Sequence, residues 1–383
     1  MEGRDFLQHR KLMSDAFKFS TLIEFIPVFN RRANELFEDV DKYGYMENSL
    51  DILRLCREFT VKIACETMLG RVLNTKDIDI TTRKYYTDLV SRDVEYVSDI
   101  TFKFIHFNQL LLKLAHLTVF KDCRKAIHAL QRTIDKTLKD FSRGEFDSNY
   151  TTSIYAAVNC LDDAIKSNII PHELGVTSMI QTFFGAFETT SSTIYFTILM
   201  LAMHPEFQSK AYDEICKIFP DNDNGEFEVT YEDIAKLEYL DMFIKETMRL
   251  LPLVPQTGRC ISGGNLTLNN GLVLPEGLDV IINIYNLHRN KKIWGPNAEI
   301  FNPDNFLRSN VEKRHPYAYI PFMKGLRYCL GMRYGEISLR VTIAKLIKRY
   351  KFSTTAKIED LVFENHLALC LANNPPLSIE KRT

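Results

Sequence analysis

Ten residues in the last fifth of the chain concentrate its chemistry: Phe322–Gly331, FMKGLRYCLG. The pattern is Phe-x-x-Gly-x-Arg-x-Cys-x-Gly, and a helical run follows at once. A cysteine at a helix N-terminus faces the positive end of the helix dipole and its unpaired N–H groups, which stabilise a thiolate. Gly325 and Gly331 permit a tight turn and close approach of the backbone to a flat ligand. Arg327 can pair with an anionic substituent of that ligand, and Phe322 can pack on the sulfur side. A buried cysteine beside a loop is the competing explanation. It suffices for a lone cysteine, not for five fixed positions in this order.

Two further constellations lie upstream. Glycine, an acid and a run of hydroxyl residues, GAFETTSST over Gly185–Thr193, interrupt an otherwise apolar stretch. The stretch is predicted to be one helix from about Pro171–Glu173 to Met203. Such residues are poor helix formers and need a reason to be there. The alternatives are a chemical role and a kinked helix with satisfied hydroxyls. Glu246 and Arg249, in ETMR, stand three apart on a predicted helix, Tyr239–Leu251, and share one face.

The elements that must carry these groups are mostly helical. Asp51–Gly70 has apolar residues at helical spacing and stops at a glycine. Phe104–Phe141 continues in the same style, and Ser142–Asn149 is a polar loop containing the start of a glycosylation sequon, Asn149-Tyr150-Thr151. After Pro252 the style changes. Asn265–Pro275 and Leu278–Ile284 read as a small sheet, Lys291–Asn310 as a loop, and about Gly331–Tyr350 as a last long helix. No linker divides the chain, so residues 1–383 read as a single domain, mainly α with a small β region (α+β).

Composition is that of a globular protein: 383 residues, 45% hydrophobic, 25% charged. A formal net charge of −1 gives no global reason to bind nucleic acid or an acidic membrane. The eight cysteines are scattered without a CxxC pair, which argues against a disulfide framework and structural zinc. Seven are expected to be buried apolar residues. Ile194–Met203 is the nearest approach to a membrane span and is too short.

The segment Phe322–Gly331 resembles the haem-binding loop of the cytochromes P450. Gly185–Thr190 resembles that family's oxygen-activation motif, Glu246–Arg249 its Glu-x-x-Arg pair, and FNPDNF at Phe301–Phe306 its Pro-Glu-Arg-Phe region. Phe6–Arg10, FLQHR, resembles its Trp-x-x-x-Arg with Phe6 for Trp, and the context fits the microsomal fatty-acid hydroxylase and insect-type branch. Asn305 stands where an arginine usually completes a triad with Glu246 and Arg249. The pair is therefore expected to do without a third partner, or to have Asn305 as a weaker one.

The resemblance implies a haem-thiolate monooxygenase that inserts one oxygen atom of dioxygen into an apolar substrate: a fatty acid, a terpenoid or hormone, or a xenobiotic. Cys329 would ligate the iron of haem b. Arg10, Arg327 and Arg259 would reach its propionates, and Glu188 and Thr189 would relay protons. Gly185 stands where some fatty-acid hydroxylases carry an esterified Glu, so the haem is expected to be non-covalent. Phe183, Ala186, Phe187, Thr190 and Val254, with Leu253, Pro255 and Gln256 nearby, are the expected pocket residues. Electrons would come from an NADPH-dependent diflavin reductase, with cytochrome b5 as a second donor. The docking face would be Lys324, Arg327, Arg333 and Arg340. The implied location is the cytosolic face of the endoplasmic reticulum membrane, as a microsomal oxidoreductase. Family members have an anchor, a proline-rich hinge and the first sheet strands before the Phe6 position, so the chain is expected to be N-terminally incomplete. A truncated, non-catalytic haem binder or degenerate gene product and a cofactor-free helical scaffold are the alternatives.

Overall fold

The structure is a computed structural model that describes residues 10–43, 52–70, 121–145, 155–220, 227–365 and 368–382. Phe6, the Asn149 sequon and residues 104–120 of the expected helical stretch lie outside them. The described helices of more than ten residues are α1 (Ile26–Tyr43), α2 (Ile52–Leu69), α3 (Lys121–Ser142), α4 (Ala156–Lys166), α5 (His172–Met203), α6 (Pro205–Ile218), α7 (Glu238–Leu250) and α8 (Met332–Arg349).

Helix α5 is the axis of the molecule. Pro171 opens it in extended conformation, and Glu173 in the first turn suits the positive helix end. From Thr190 to Ala202 every residue is buried, as expected of a helix apolar on all sides. It packs most extensively on α2, and also on α8, α3 and α7. The hydroxyl run does not break it. Thr189, Thr193 and Thr197 each donate to the carbonyl four residues back, at 2.8, 2.8 and 2.7 Å. Ser191 donates to the Glu188 carbonyl at 2.9 Å. These hydroxyl protons are satisfied within the helix, so burying Ser191, Thr193 and Thr197 leaves no lost hydrogen bond.

The β structure is four two-stranded antiparallel pairs among the described residues. Strand β1 (Gln256–Cys260) pairs with β4 (Asp279–Asn283), with Gln256 opposite Asn283 and Cys260 opposite Asp279. Strands β2 (Leu266–Thr267) and β3 (Val273–Leu274) form a short hairpin. Strand β5 (Tyr350–Ser353), directly after α8, pairs with β8 (Ser378–Lys381). Strands β6 (Phe363–Asn365) and β7 (Leu369–Leu371) complete the set.

The segment Lys291–Asn310 is not the plain loop its composition predicts. It contains helical turns at Lys291–Trp294, Pro303–Phe306 and Arg308–Val311. The side chains of Asn290 and Asn302 cap the first two by accepting from Lys292 and Asp304 N–H, so the residues read as loop formers are helix caps. Trp294, Ala298 and Phe306 form a second small core here. The cysteines also differ from expectation. Cys56 and Cys65 are buried, but Cys160, Cys216 and Cys370 are half-buried and Cys260 is exposed.

One cluster ties this region to α7. Glu246 and Arg249 are both fully buried and form a two-pronged pair, Nε to Oε2 and Nη2 to Oε1, each 2.7 Å. Glu246 Oε1 also accepts from the Asn302 N–H at 2.8 Å and from Asn305 Nδ2 at 3.0 Å. Asn305 is thus a third partner, through a neutral amide. Arg249 directs its remaining donors to the carbonyls of His288 (2.8 Å), Ala298 (2.5 Å) and Ile300 (3.2 Å). Burial pushes the Glu246 carboxyl above its ordinary value against the pull of Arg249 and the two amides. Breaking a buried pair strands the surviving charge. Arg249→Met is expected to cost about 3–5 kcal/mol, read as a lower urea midpoint; an unchanged midpoint would contradict this account.

A second clamp joins α1 to the end of α8. Asp41 accepts from Arg349 Nη2 at 2.5 Å and from the Tyr350 hydroxyl at 2.7 Å. Burial raises the Asp41 carboxyl pKa, but these bonds outweigh it and the net shift is downward. A lowered carboxylate stabilises the fold above its unfolded value of about 3.9 and loses that contribution as pH falls through the folded value. The stability gap between wild type and Asp41→Asn should therefore be full at pH 7 and shrink below about pH 4. Thermal melts across that range check it, and a gap that widens in acid would refute it.

Candidate functional site

The cysteine loop is built by its own backbone. The Cys329 N–H donates to Phe322 O at 2.8 Å, Tyr328 N–H to Gly325 O at 3.1 Å, and Met323 N–H to Ile320 O at 3.0 Å. Gly325 has φ +77°, and its missing Cβ would meet open space. Glycine is therefore required there by conformation, not by crowding. Met323 takes a similar left-handed φ of +62°, a strained choice for a side chain of its size. Gly331 caps α8, so Cys329 stands just before the helix N-terminus, as the sequence predicts.

The Cys329 side chain is solvent-accessible. Burial pushes its thiol above the ordinary cysteine value, while the Gly331 N–H and the Arg10 charge pull the other way. A metal cation would reverse the balance, since a coordinating thiol is deprotonated outright. Among the described residues no three His, Cys, Asp or Glu side chains converge on a metal-binding point.

The arginines fit the haem that the resemblance implies. Arg10 Nη1 donates to Tyr328 O at 2.7 Å, and its guanidinium lies 4.1 Å from the centroid of the Tyr328 ring. Arg10 Nη2 is buried and has no hydrogen-bond partner, a donor waiting for an acceptor such as a propionate. Arg259, on β1, donates to Gly258 O and reaches Met323 Sδ at 3.9 Å. Arg327 is exposed on the loop itself. Three segments far apart in sequence thus bring Arg10, Arg259 and Arg327 around the cysteine loop. Phe322 packs toward α8, where a Cβ on Gly335 would meet its ring at 3.7 Å.

On α5, Gln181, Gly185 and Thr189 recur every four residues and are the exposed positions between Ile180 and Thr193. They form one open stripe. Phe183, Ala186, Phe187 and Thr190 lie on the packed side, with Phe183 and Phe187 5.3 Å apart between ring centroids. Val254 and Leu253 are half-buried; Pro255 is buried, and its carbonyl accepts from Tyr285 N–H at 3.0 Å. Glu188 is half-buried and pairs with Arg57 of α2, Nη2 to Oε1, at 3.2 Å. Sequence reasoning missed Arg57. Its local pattern is that of any amphipathic helix, and its partner is 131 residues away.

The family model described as Cytochrome P450 matches residues 1–379. Among similar proteins, probable cytochrome P450 313a4 of Drosophila melanogaster is 36% identical over 382 residues, covering 98% of this chain and 75% of the relative. Probable cytochrome P450 313a2 of the same organism is 33% identical over 391 residues, covering 100% and 76%. Probable cytochrome P450 4ac1, also of Drosophila melanogaster, is 30% identical over 385 residues, covering 97% and 72%. With matches along nearly all of its length and an accessible cysteine set before α8, this chain belongs to the cytochrome P450 family, the haem-thiolate monooxygenases.

Proposed function

We propose that the chain binds haem b non-covalently on the Cys329 sulfur and inserts one oxygen atom of dioxygen into an apolar substrate. The observation that carries this reading is a juxtaposition at the cysteine loop. An accessible thiol is flanked by a helix-terminal N–H and by Arg10, whose Nη2 is buried without a partner. When bound, the haem supplies the dioxygen and electron chemistry, with the thiolate pushing electron density toward the iron.

The chain's own groups hold and protonate. The Gly331 N–H and Arg10 favour the thiolate form of Cys329. Arg10, Arg327 and Arg259 receive the propionates, and Gly325 lets the loop lie flat. Gly185 offers no carboxylate for an ester. Thr189 Oγ1 commits its proton to Gly185 O, which leaves its lone pairs to accept from a water on the open stripe. Glu188, held by Arg57, takes a proton from solvent water, hands it to such a water and returns to the carboxylate form. An ion pair keeps the carboxylate at a fixed station and ready to exchange partners.

The substrate is a fatty acid, a terpenoid or hormone, or a xenobiotic, held over the open stripe of α5. Phe183, Ala186, Phe187 and Thr190 shape that wall from behind, and Val254 faces it from the segment after α7. An NADPH-dependent diflavin reductase, with cytochrome b5 as second donor, would dock on exposed Lys324, Arg327 and Arg333. Arg340 is removed from that face, because it pairs with Asp241 of α7 at 2.9 Å. The endoplasmic reticulum membrane is carried over from the family. Among the described residues no helix is long and apolar enough to cross a membrane.

Carbon monoxide added to the reduced protein is the direct test. A strongly red-shifted Soret band is expected for wild type and should vanish in Cys329→Ser; survival of the band in that variant would overturn the ligand assignment. Thr189→Ala is expected to keep NADPH consumption, cut product by about tenfold or more and release peroxide instead. Arg57→Met should show the same uncoupling to a smaller degree. Unchanged product per NADPH in both variants would rule out the relay.

A further inference from the structure

Glu246 is a fully buried carboxylate and, among the described residues, has one cation in contact, Arg249. All five Arg249 donors are engaged, two on the carboxylate and three on carbonyl oxygens. Asn302 and Asn305 add hydrogen bonds but no charge. His288, beside Arg249, adds none either. Burial lowers its pKa to about 3, and its Nε2 accepts from Ile320 N–H at 3.0 Å, so it is neutral. Lys245 is paired with Asp241 at 2.6 Å. Arg289 lies 3.5 Å from the Tyr285 ring centroid and donates to Leu250 O; it feels the Glu246 charge, but less than it feels Tyr285, Arg249 and Glu299.

Arg314 remains. Its guanidinium lies 4.2 Å from the centroid of the Trp294 ring, and Arg249 lies 4.9 Å from the same centroid. The only tryptophan in the chain is therefore shared by two guanidiniums. Arg314 also lies 5.5 Å from the Phe306 ring centroid and donates through Nε to Asn310 O at 3.1 Å. Its Nη2 is buried with no hydrogen-bond partner. Stacking on an indole face is the most favourable cation–π arrangement and strengthens as water is excluded. Arg314 starts the segment that leads into the cysteine loop. Along it, Tyr319 OH donates to Lys245 O at 3.0 Å and Ile320 N–H to His288.

We propose that Arg314 is the second cation of the Glu246 cluster and a positioning residue for the thiolate loop, its charge delivered from the Trp294 face without contact with the carboxylate. Arg314→Met keeps the aliphatic stem and removes the charge; Arg314→Lys keeps the charge and loses the plane. Each is purified as the haem-loaded protein. Arg314→Met should lower the thermal midpoint by roughly 3 °C and shift part of the reduced carbon monoxide band out of the red-shifted position. Arg314→Lys should recover at least half of both losses. Adding Asn305→Arg to Arg314→Met should recover them too, because a charge at position 305 sits beside the carboxylate. A Lys variant no better than Met would overturn the proposal, as would a Met variant indistinguishable from wild type. If the double variant does not fold, the Lys-against-Met comparison decides alone. The haem reading fails separately, through a wild type without the red-shifted band, and the thermal comparison still reports on Arg314.

Discussion

A buried carboxylate sets the terms for the C-terminal half of this molecule. Removing Glu246 and Arg249 from water is costly, and the cost is offset only if every lone pair and N–H finds a partner. Those partners come from five places: Asn302, Asn305, and the carbonyls of His288, Ala298 and Ile300. Meeting that demand folds the irregular segment after β4 against α7. The same segment runs on to Phe322, so the cysteine loop is placed by an electrostatic requirement more than by apolar packing. His288 belongs to this logic. It accepts from the Ile320 N–H and stays neutral across the cellular pH range, so the tether to the loop is insensitive to ordinary acidification.

Helix α5 answers a different constraint. It must be apolar enough to fill the core and polar enough to serve the site. Donation of the hydroxyls back into the helix resolves the conflict, because Thr193 and Thr197 are buried without stranded protons. Thr189 uses the same bond at an exposed position. One local bond thus serves buried and exposed positions of the helix alike. The ion pair from Arg57 holds Glu188 at a half-buried position.

Much of this was legible in the sequence because the signals were local. The span of α5, the helix bearing Glu246 and Arg249, and Cys329 before α8 all follow from spacing, caps and breakers within a few residues. The misses were of two kinds. Pairings across the fold, Arg57 with Glu188 and Arg314 on Trp294, leave no trace in their own segments. Polar segments with asparagines read as loop, yet Asn290 and Asn302 act as caps and make helical turns there. Asn305 is instructive. It departs from the family pattern as a charge but keeps the hydrogen bond, a distinction that residue type alone does not reveal. Of the expected pocket residues, Phe183, Ala186, Phe187 and Thr190 lie buried on α5, and Val254 lies half-buried after α7.

The β pairs bear on how the molecule moves. Two-stranded pairs have little stability of their own, and β4 leaves Ile281 69% exposed and Ile282 37% exposed. Regions with few buried contacts open locally at a fraction of the global unfolding free energy. Strand β1 is such a region, and it carries Arg259 to the cysteine loop. A large flat ligand whose anionic arms reached Arg259 would tie that strand to the loop and lend it stability it lacks alone.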